Sequence, residues 1–229
     1  MYLMRTFLNP LSPSVRADVA SPESLHKTVM RAFPGLDGPL ARKEHAILHR
    51  LDRDAAGRLV LLIQSRSRPE PTRWRDDYVA HPDDDLDLGS SCVDNPSIRE
   101  IGKERAAITV GRQFRFRLKA NTTKRAVANG AGVRYAKSKR VPLRGDEARR
   151  AWLERRAEAA GFRCEPDSVQ VKELPAVGGR AGKLVTVAGT IFDGVLQVVD
   201  AGRFSSALEH GVGPAKAYGF GLLSIAAAR

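Results

Sequence analysis

A chain of 229 residues with 42% hydrophobic content can bury one large core or two small ones, and two small domains is the expectation. No apolar run approaches the ~20 residues that span a bilayer, and Met1 to Leu8 is too short for a secretion signal and lacks its cleavage site, which argues against an integral membrane protein. The two cysteines, Cys92 and Cys164, have neither the spacing of a zinc site nor the density of a disulfide framework, so a reduced cytoplasm fits, and the formal charge of +12 directs attention to a polyanionic partner.

Met1 to Asn9 alternates and is β-prone, and Pro10 and Pro13 stop it, which predicts a strand and then a turn. Ser21 can cap a helix with Pro22 at its first position; Leu25, Val29, Ala32 and Phe33 form its apolar stripe, and Pro34-Gly35 ends it. His45 to Leu51 and Leu59 to Gln64 predict a hairpin turning through Asp54 to Gly57. Pro69 to Ser97, rich in Pro and Asp, predicts a loop with at most a short helix around Arg73 to Val79. In Phe114-Arg115-Phe116-Arg117-Leu118 apolar and basic residues alternate. That places Phe114, Phe116 and Leu118 on one strand face and Arg115, Arg117 and Lys119 on the other, and the strand is expected to close the first domain.

Asn121 to Arg144 is basic and irregular, with a short strand near Arg140 to Leu143. Gly145-Asp146 opens a helix through Ala160, with Ala148, Trp152 and Leu153 inward and Arg149, Arg150, Arg155 and Arg156 outward, and Gly161 terminates it. Strands at Phe162 to Val171, Lys183 to Phe192 and Val195 to Val199, a helix from Ala201 to His210, a glycine-rich loop and a last strand, Gly219 to Ile225, complete the reading. Both halves give strand, helix, two strands, helix or its remnant, and strand. This is an α+β class: two tandem ferredoxin-like (RRM-like) domains with antiparallel sheets, in residues 1–122 and 123–229.

The charge is unevenly placed. Residues 1–100 carry 14 basic and 15 acidic groups, residues 101–156 carry 17 and 4, and residues 157–229 carry 7 and 7. Such a surplus repels itself in a compact domain unless a polyanion uses it, and phosphate backbones reward it through counterion release, so nucleic acid is the favoured partner. A solvated basic surface and an anionic membrane are the alternatives; no basic amphipathic helix with an aromatic face supports the membrane.

Met1-Tyr2-Leu3 with Leu8-Asn9-Pro10, Leu25-His26-Lys27-Thr28, Phe116-Arg117-Leu118-Lys119-Ala120-Asn121, Ala151-Trp152-Leu153 and the tail Gly211-Val212-Gly213-Pro214-Ala215-Lys216-Ala217-Tyr218-Gly219-Phe220-Gly221-Leu222-Leu223-Ser224 carry a resemblance end to end. The chain resembles the CasE family, the CRISPR-associated endoribonucleases of the RAMP superfamily that serve the Cascade complex. The tail is the specific part, because its lysine lies in Gly-Pro-Ala-Lys rather than in a Walker arrangement. The resemblance implies paired ferredoxin-like domains that bind the repeat-derived RNA hairpin, cut precursor crRNA at its 3′ base, keep the mature crRNA and join the other Cascade subunits.

RNA carries its own nucleophile, the 2′-hydroxyl, so cleavage needs in-line geometry, a proton acceptor, a proton donor and cations for the phosphorane; no metal or other cofactor is obligatory. His26 titrates near neutrality one turn into a helix and matches the family's catalytic histidine; whether it acts as acid or base stays open. Relatives often carry a tyrosine three residues earlier, where this chain has Glu23, a first-turn acid that suits the helix amino end. Lys27 and Arg31, close in sequence on the same helix, could neutralise the scissile phosphate. His45 and His49, four apart in a strand-like segment, would share a face without further metal ligands, and His81 and His210 carry no catalytic role.

For RNA binding, the loop from Gly211 to Gly221, with Gly213, Gly219 and Lys216, lets backbone N–H groups approach phosphates; a tight turn packing the last strand is the alternative. Arg149, Arg150, Arg155 and Arg156 could face a hairpin's phosphates, extended by Lys124, Arg125, Lys137, Lys139 and Arg140. The turn from Lys172 to Lys183, with Arg180, could probe the duplex. The competing functions are a non-cleaving RNA-binding scaffold of the same fold and a basic ribosome-associated protein.

Overall fold

The computed structural model describes residues 1–36, 38, 40–81, 94–102, 108–125, 140–177 and 187–228. Strand β1 (Tyr2–Phe7) sends Met4 and Thr6 into the first core and leaves Arg5 exposed, the alternation its sequence predicts. Pro13, read as a stop, instead starts a helix, α1 (Pro13–Ala20): Ser12 caps it by accepting from Val15 N at 3.5 Å, and proline is well tolerated in that first turn. Ser21 then ends α1 and caps α2 (Pro22–Arg31), accepting from Ser24 N at 3.2 Å.

A one-turn helix α3 (Ala41–Glu44) precedes β2 (Leu48–Arg53), which turns into β3 (Leu59–Ser65). His45 therefore ends α3 rather than starting a strand, and it does not share a strand face with His49. The short helix expected near 73–79 is a 3₁₀ turn at Pro71–Arg73. Strand β4 (Ser97–Glu100) completes an antiparallel sheet in the order β2-β3-β1-β4.

The second sheet is built from β5 (Gln113–Ala120), β8 (Phe162–Cys164), β9 (Gln170–Val177), β10 (Val187–Val198) and β11 (Leu223–Ala227), in the order β11-β5-β10-β8 with β9 also on β10. A separate hairpin joins β6 (Thr123–Arg125) to β7 (Arg140–Pro142), and helices α4 (Asp146–Ala159) and α5 (Ala201–His210) flank the sheet in sequence. The first sheet thus runs fourth, first, third, second in its own chain order, and the second does the same once β8 and β9, which pair with successive stretches of β10, are counted as one interrupted strand; this is the ferredoxin-like arrangement the sequence predicts.

Two further expectations, both about the second sheet, change. Strand β5 does not close the first sheet: Phe116 lies opposite Gly194 on one side and Ile225 on the other, because the four-residue β4 already occupies the edge of β1. The two strands expected at 183–192 and 195–199 are one, β10. Gly194, which reads as a turn, lies inside it, where a Cβ would stand 3.1 Å from both Ser168 O and Val169 Cα.

The first core gathers Met4, Val29, Ile47, Leu61, Ile63, Trp74 and Tyr78, and the second Phe116, Leu118, Trp152, Phe162, Phe192, Leu196 and Phe204. A fully buried side chain of this size contributes roughly 1.5–3 kcal/mol, against roughly 0.5–1.5 for a hydrogen bond, so the cores hold each half together. The junction between the halves is polar by comparison. Buried Arg50 on β2 donates to Leu222 O at 3.1 Å and Arg117 O at 3.3 Å and pairs with Asp52 at 2.7 Å, while Gln64 donates to Leu208 O at 2.6 Å. Arg50 thus ties β2 to β5 and to the end of the C-terminal glycine loop, and Gln64 ties β3 to α5.

Candidate functional site

Leu48, His49 and Arg50 are consecutive and all buried, although strand residues alternate faces. Strand β2 has the first core on one side and the glycine loop on the other, so both of its faces are covered. The loop reaches α2 and β2 through a 3₁₀ turn at Lys216–Tyr218, between Ala215 and Gly219, both in the left-handed region. At Gly211 a Cβ would meet Gly221 O at 2.8 Å and Leu48 at 3.0 Å, so the glycine is required by packing against β2. Gly213 and Gly221 belong to the same close-packed loop.

His26, half-buried on α2, lies against this junction. Its ring is nearly parallel to that of His49, with centroids 6.3 Å apart and planes 19° apart. Nδ1 of His26 and both ring nitrogens of His49 are buried without a hydrogen-bond partner. Burial pushes His49 down to about 3, with the His26, Lys119 and Arg42 charges adding to it. Burial also lowers His26, helped by Arg42 and Lys27 and opposed by Glu23, so its imidazole is neutral near pH 7.

Cations surround the pair. Arg42 donates to Ile47 O at 3.1 Å, and burial lowers its pKa. Lys119, its ammonium 5.4 Å from the Phe220 ring centroid, is lowered by burial despite Asp52 nearby. Lys216 is lowered by burial and then by the charges of Arg42 and Arg156. From Lys216 the positive track runs into an open cleft of about 500 Å³ lined by Arg140, Arg156, Arg203, His210, Gly211, Gly213 and Lys216.

The sequence-predicted residues divide accordingly. Arg140, Arg156, Gly211, Gly213 and Lys216 meet in the cleft, and Gly219 covers His49. Lys27 pairs with Glu23 at 2.9 Å in solvent, and Arg31 is exposed in the last turn of α2. Lys124 on β6 and Arg155 on α4 are exposed; Arg150 donates to Pro166 O at 3.4 Å. Arg125 is placed by its backbone in β6.

Arg149 does not face outward as expected. Its side chain is 5% exposed and paired with Asp146 at 3.1 Å and Glu173 at 2.7 Å, because its position on α4 turns it toward β9. Lys137, Lys139, Arg180, Lys183 and Cys92 lie outside the described residues. His45 bonds Ser67 Oγ at 2.8 Å, and among the described residues no three His, Cys, Asp or Glu side chains come together as metal ligands would.

Sequence reasoning missed Arg42, Lys119, Arg203 and the part played by His49. Arg42 sits in a single helical turn with no periodicity to flag it. Lys119 reads as the exposed face of a strand that is in fact covered by Phe220.

The chain matches the family model described as CRISPR associated protein over residues 1–227. It is 35% identical over 239 residues to the CRISPR-associated endoribonuclease Cse3 of Thermus thermophilus, covering 99% of this chain and 100% of that protein. It is 37% identical over 125 residues to the CRISPR system Cascade subunit CasE of Escherichia coli, covering 52% of this chain and 60% of that one. The fold matches Thermus thermophilus Cse3 bound to an RNA representing a pre-cleavage complex, with a TM-score of 0.75 at 31% identity over 98% of each chain. The Escherichia coli Cas6e structure, at 23% identity and a TM-score of 0.70 over 100% of each chain, shares the fold. Full-length agreement in sequence and in structure places this chain in the CasE/Cse3 family of CRISPR-associated endoribonucleases.

Proposed function

We propose that this protein binds the CRISPR repeat hairpin along the basic cleft, cuts precursor crRNA at the hairpin's 3′ base by metal-independent attack of the 2′-hydroxyl, and stays with the crRNA among the other Cascade subunits in the cytoplasm. The observation that carries it is the half-buried His26, packed against His49, beside a basic cleft lined by Arg140, Arg156, Arg203 and Lys216. His26 takes the 2′-hydroxyl proton, O2′ attacks the adjacent phosphorus, and the P–O5′ bond breaks. The products are a 2′,3′-cyclic phosphate and a 5′-hydroxyl. Arg42 and Lys216 balance the phosphorane's charge. Lys216, its ammonium destabilised by burial, gives O5′ its proton.

The second reading is a scaffold that binds without cutting. Position 23 favours it, since the carboxylate of Glu23 engages Lys27 where relatives often hold a phenol. Incubation with the cognate repeat RNA in excess EDTA separates the two: cleavage to a cyclic-phosphate end supports the enzyme, and a tight uncut complex supports the scaffold. A 2′-deoxy nucleotide at the cut position blocks the reaction if O2′ is the nucleophile; unimpaired cutting of it would mean that water attacks instead.

A further inference from the structure

His49 is a costly residue for a purely structural role. A neutral imidazole always presents one N–H and one bare nitrogen, and here both are buried without a partner, each at a cost of roughly 1–3 kcal/mol that a phenylalanine would avoid. The neighbouring ring adds a third such atom, Nδ1 of His26. Orphaned polar groups concentrated in one place mark a site whose bonds are completed in use. The surroundings restrict the partner. Lys27 from α2, Arg42 before β2, Lys119 from β5 and Lys216 on the glycine loop are all donors. Glu23 engages Lys27 in solvent, and Asp52 engages Arg50. Of the side chains whose charge reaches the pair, none but the two engaged carboxylates can accept, and the ring that lies against His26 is that of His49, which carries an unused acceptor nitrogen.

We propose that His49 is the positioning residue for His26: when RNA binds, His26 Nδ1–H donates to a His49 ring nitrogen, which fixes the tautomer that turns Nε2 toward the 2′-hydroxyl. An N–H···N bond between two imidazoles puts their centroids about 5 Å apart with the N–H aimed along the acceptor's in-plane lone pair, against 6.3 Å and a stacked, nearly parallel pair here, so the rings close by about 1 Å and His26 turns its Nδ1 edge toward His49. Catalytic hydrogen bonds are commonly long before substrate arrives and tighten in the complex. The cations around His49 and its burial keep it uncharged, so a lone pair is always available to accept. The arrangement also stabilises the imidazolium that forms when His26 takes a proton.

The inference rests on the cleavage reading above and is tested so that the two can fail separately. Histidine ring ¹⁵N shifts are recorded for the protein bound to a repeat hairpin made uncleavable by a 2′-deoxy nucleotide, and single-turnover cleavage of the all-ribo hairpin is followed against pH. The complex is expected to show His26 as the Nδ1–H tautomer. His49→Phe is expected to keep affinity within a few fold, slow cleavage by about 10- to 100-fold and move the acid limb of the profile to lower pH, because the imidazolium has lost its acceptor. His49→Gln, whose amide oxygen accepts, recovers much of the rate. An Nε2–H tautomer of His26 in the wild-type complex overturns the proposal, whatever the variants do. So does an H49F protein that cleaves with the wild-type rate and profile. A wild type that binds but never cuts defeats the cleavage reading, while the ring shifts still decide whether the pair forms.

Discussion

Gly219 stands directly over His49: a methyl group built on it would lie 3.4 Å from Nε2 and 3.5 Å from Cδ2 of the buried imidazole. Its φ of +80° also lies where L side chains rarely go. The glycine therefore serves the histidine pair as well as any RNA phosphate. Gly219→Ala is expected to slow cleavage about tenfold with hairpin affinity nearly unchanged, because the added methyl only touches the ring but its left-handed φ is strained, and relieving that strain shifts the loop that covers the ring positioning His26. Single-turnover rates and binding measured on the same folded variant check this. Affinity falling as far as rate would assign the glycine to phosphate approach instead.

The depressed pKa of His49 links folding to pH. Above pH 6.5 the group is neutral in folded and unfolded chains alike. Below it the unfolded chain binds a proton that the folded chain refuses until about pH 3, so stability is lost as pH falls through that window, by at most a few kcal/mol. Urea denaturation at pH 7 and pH 4.5 should show a larger loss for the wild type than for His49→Phe. Equal losses would mean that the imidazole is charged in the folded protein.

His26→Ala is expected to abolish cleavage and to leave hairpin affinity within a few fold, since a proton-transfer group acts mainly in the transition state. Because burial and Arg42 lower the pKa of His26, the acid limb of second-order cleavage, which reports the free protein, should fall below 6.5. A limb at or above that value would place the base elsewhere or give His26 the acid's role.

Much of this was legible beforehand, for identifiable reasons. Helix α2 announces itself through Ser21, Pro22 and a 3.6-residue apolar period, and the alternation of residues 114–118 is that of a strand. What could not be read were relationships settled across the chain. Ser97–Glu100 is too short to show a period, so its claim on the edge of β1, and with it the transfer of β5 to the second sheet, was invisible. His49 alternates with Ile47 and Leu51 and so reads as an ordinary core-face strand residue, because its meaning depends on a loop some 170 residues further on that packs against its ring. Arg149 was expected outside with its basic neighbours because helical spacing cannot foresee Glu173 on β9.

The buried position of Arg149 divides the arginines of α4 into two kinds, which sets the last prediction. Arg149→Gln removes a guanidinium that is 5% exposed from Asp146 and Glu173, and should lower stability by about 1–3 kcal/mol while leaving RNA binding unchanged in the folded fraction. Arg156 and Lys216 line the cleft beside Arg140 and Arg203, where phosphates would displace counterions. If about five phosphates are neutralised, log affinity against log salt should have a slope of roughly −3.5 to −4.5, and each lost contact should flatten it by about 0.7–0.9. Arg156→Gln combined with Lys216→Gln should therefore reduce the slope's magnitude by roughly 1.4–1.8; the double variant also cuts more slowly, because Lys216 is the proton donor to O5′, but what it cuts is cut at the same position, because backbone contacts set affinity more than base identity. An unaltered slope would show that the hairpin does not lie in this cleft. In that event the exposed charges at Lys124 on β6 and Arg155 on α4 become the next surface to neutralise.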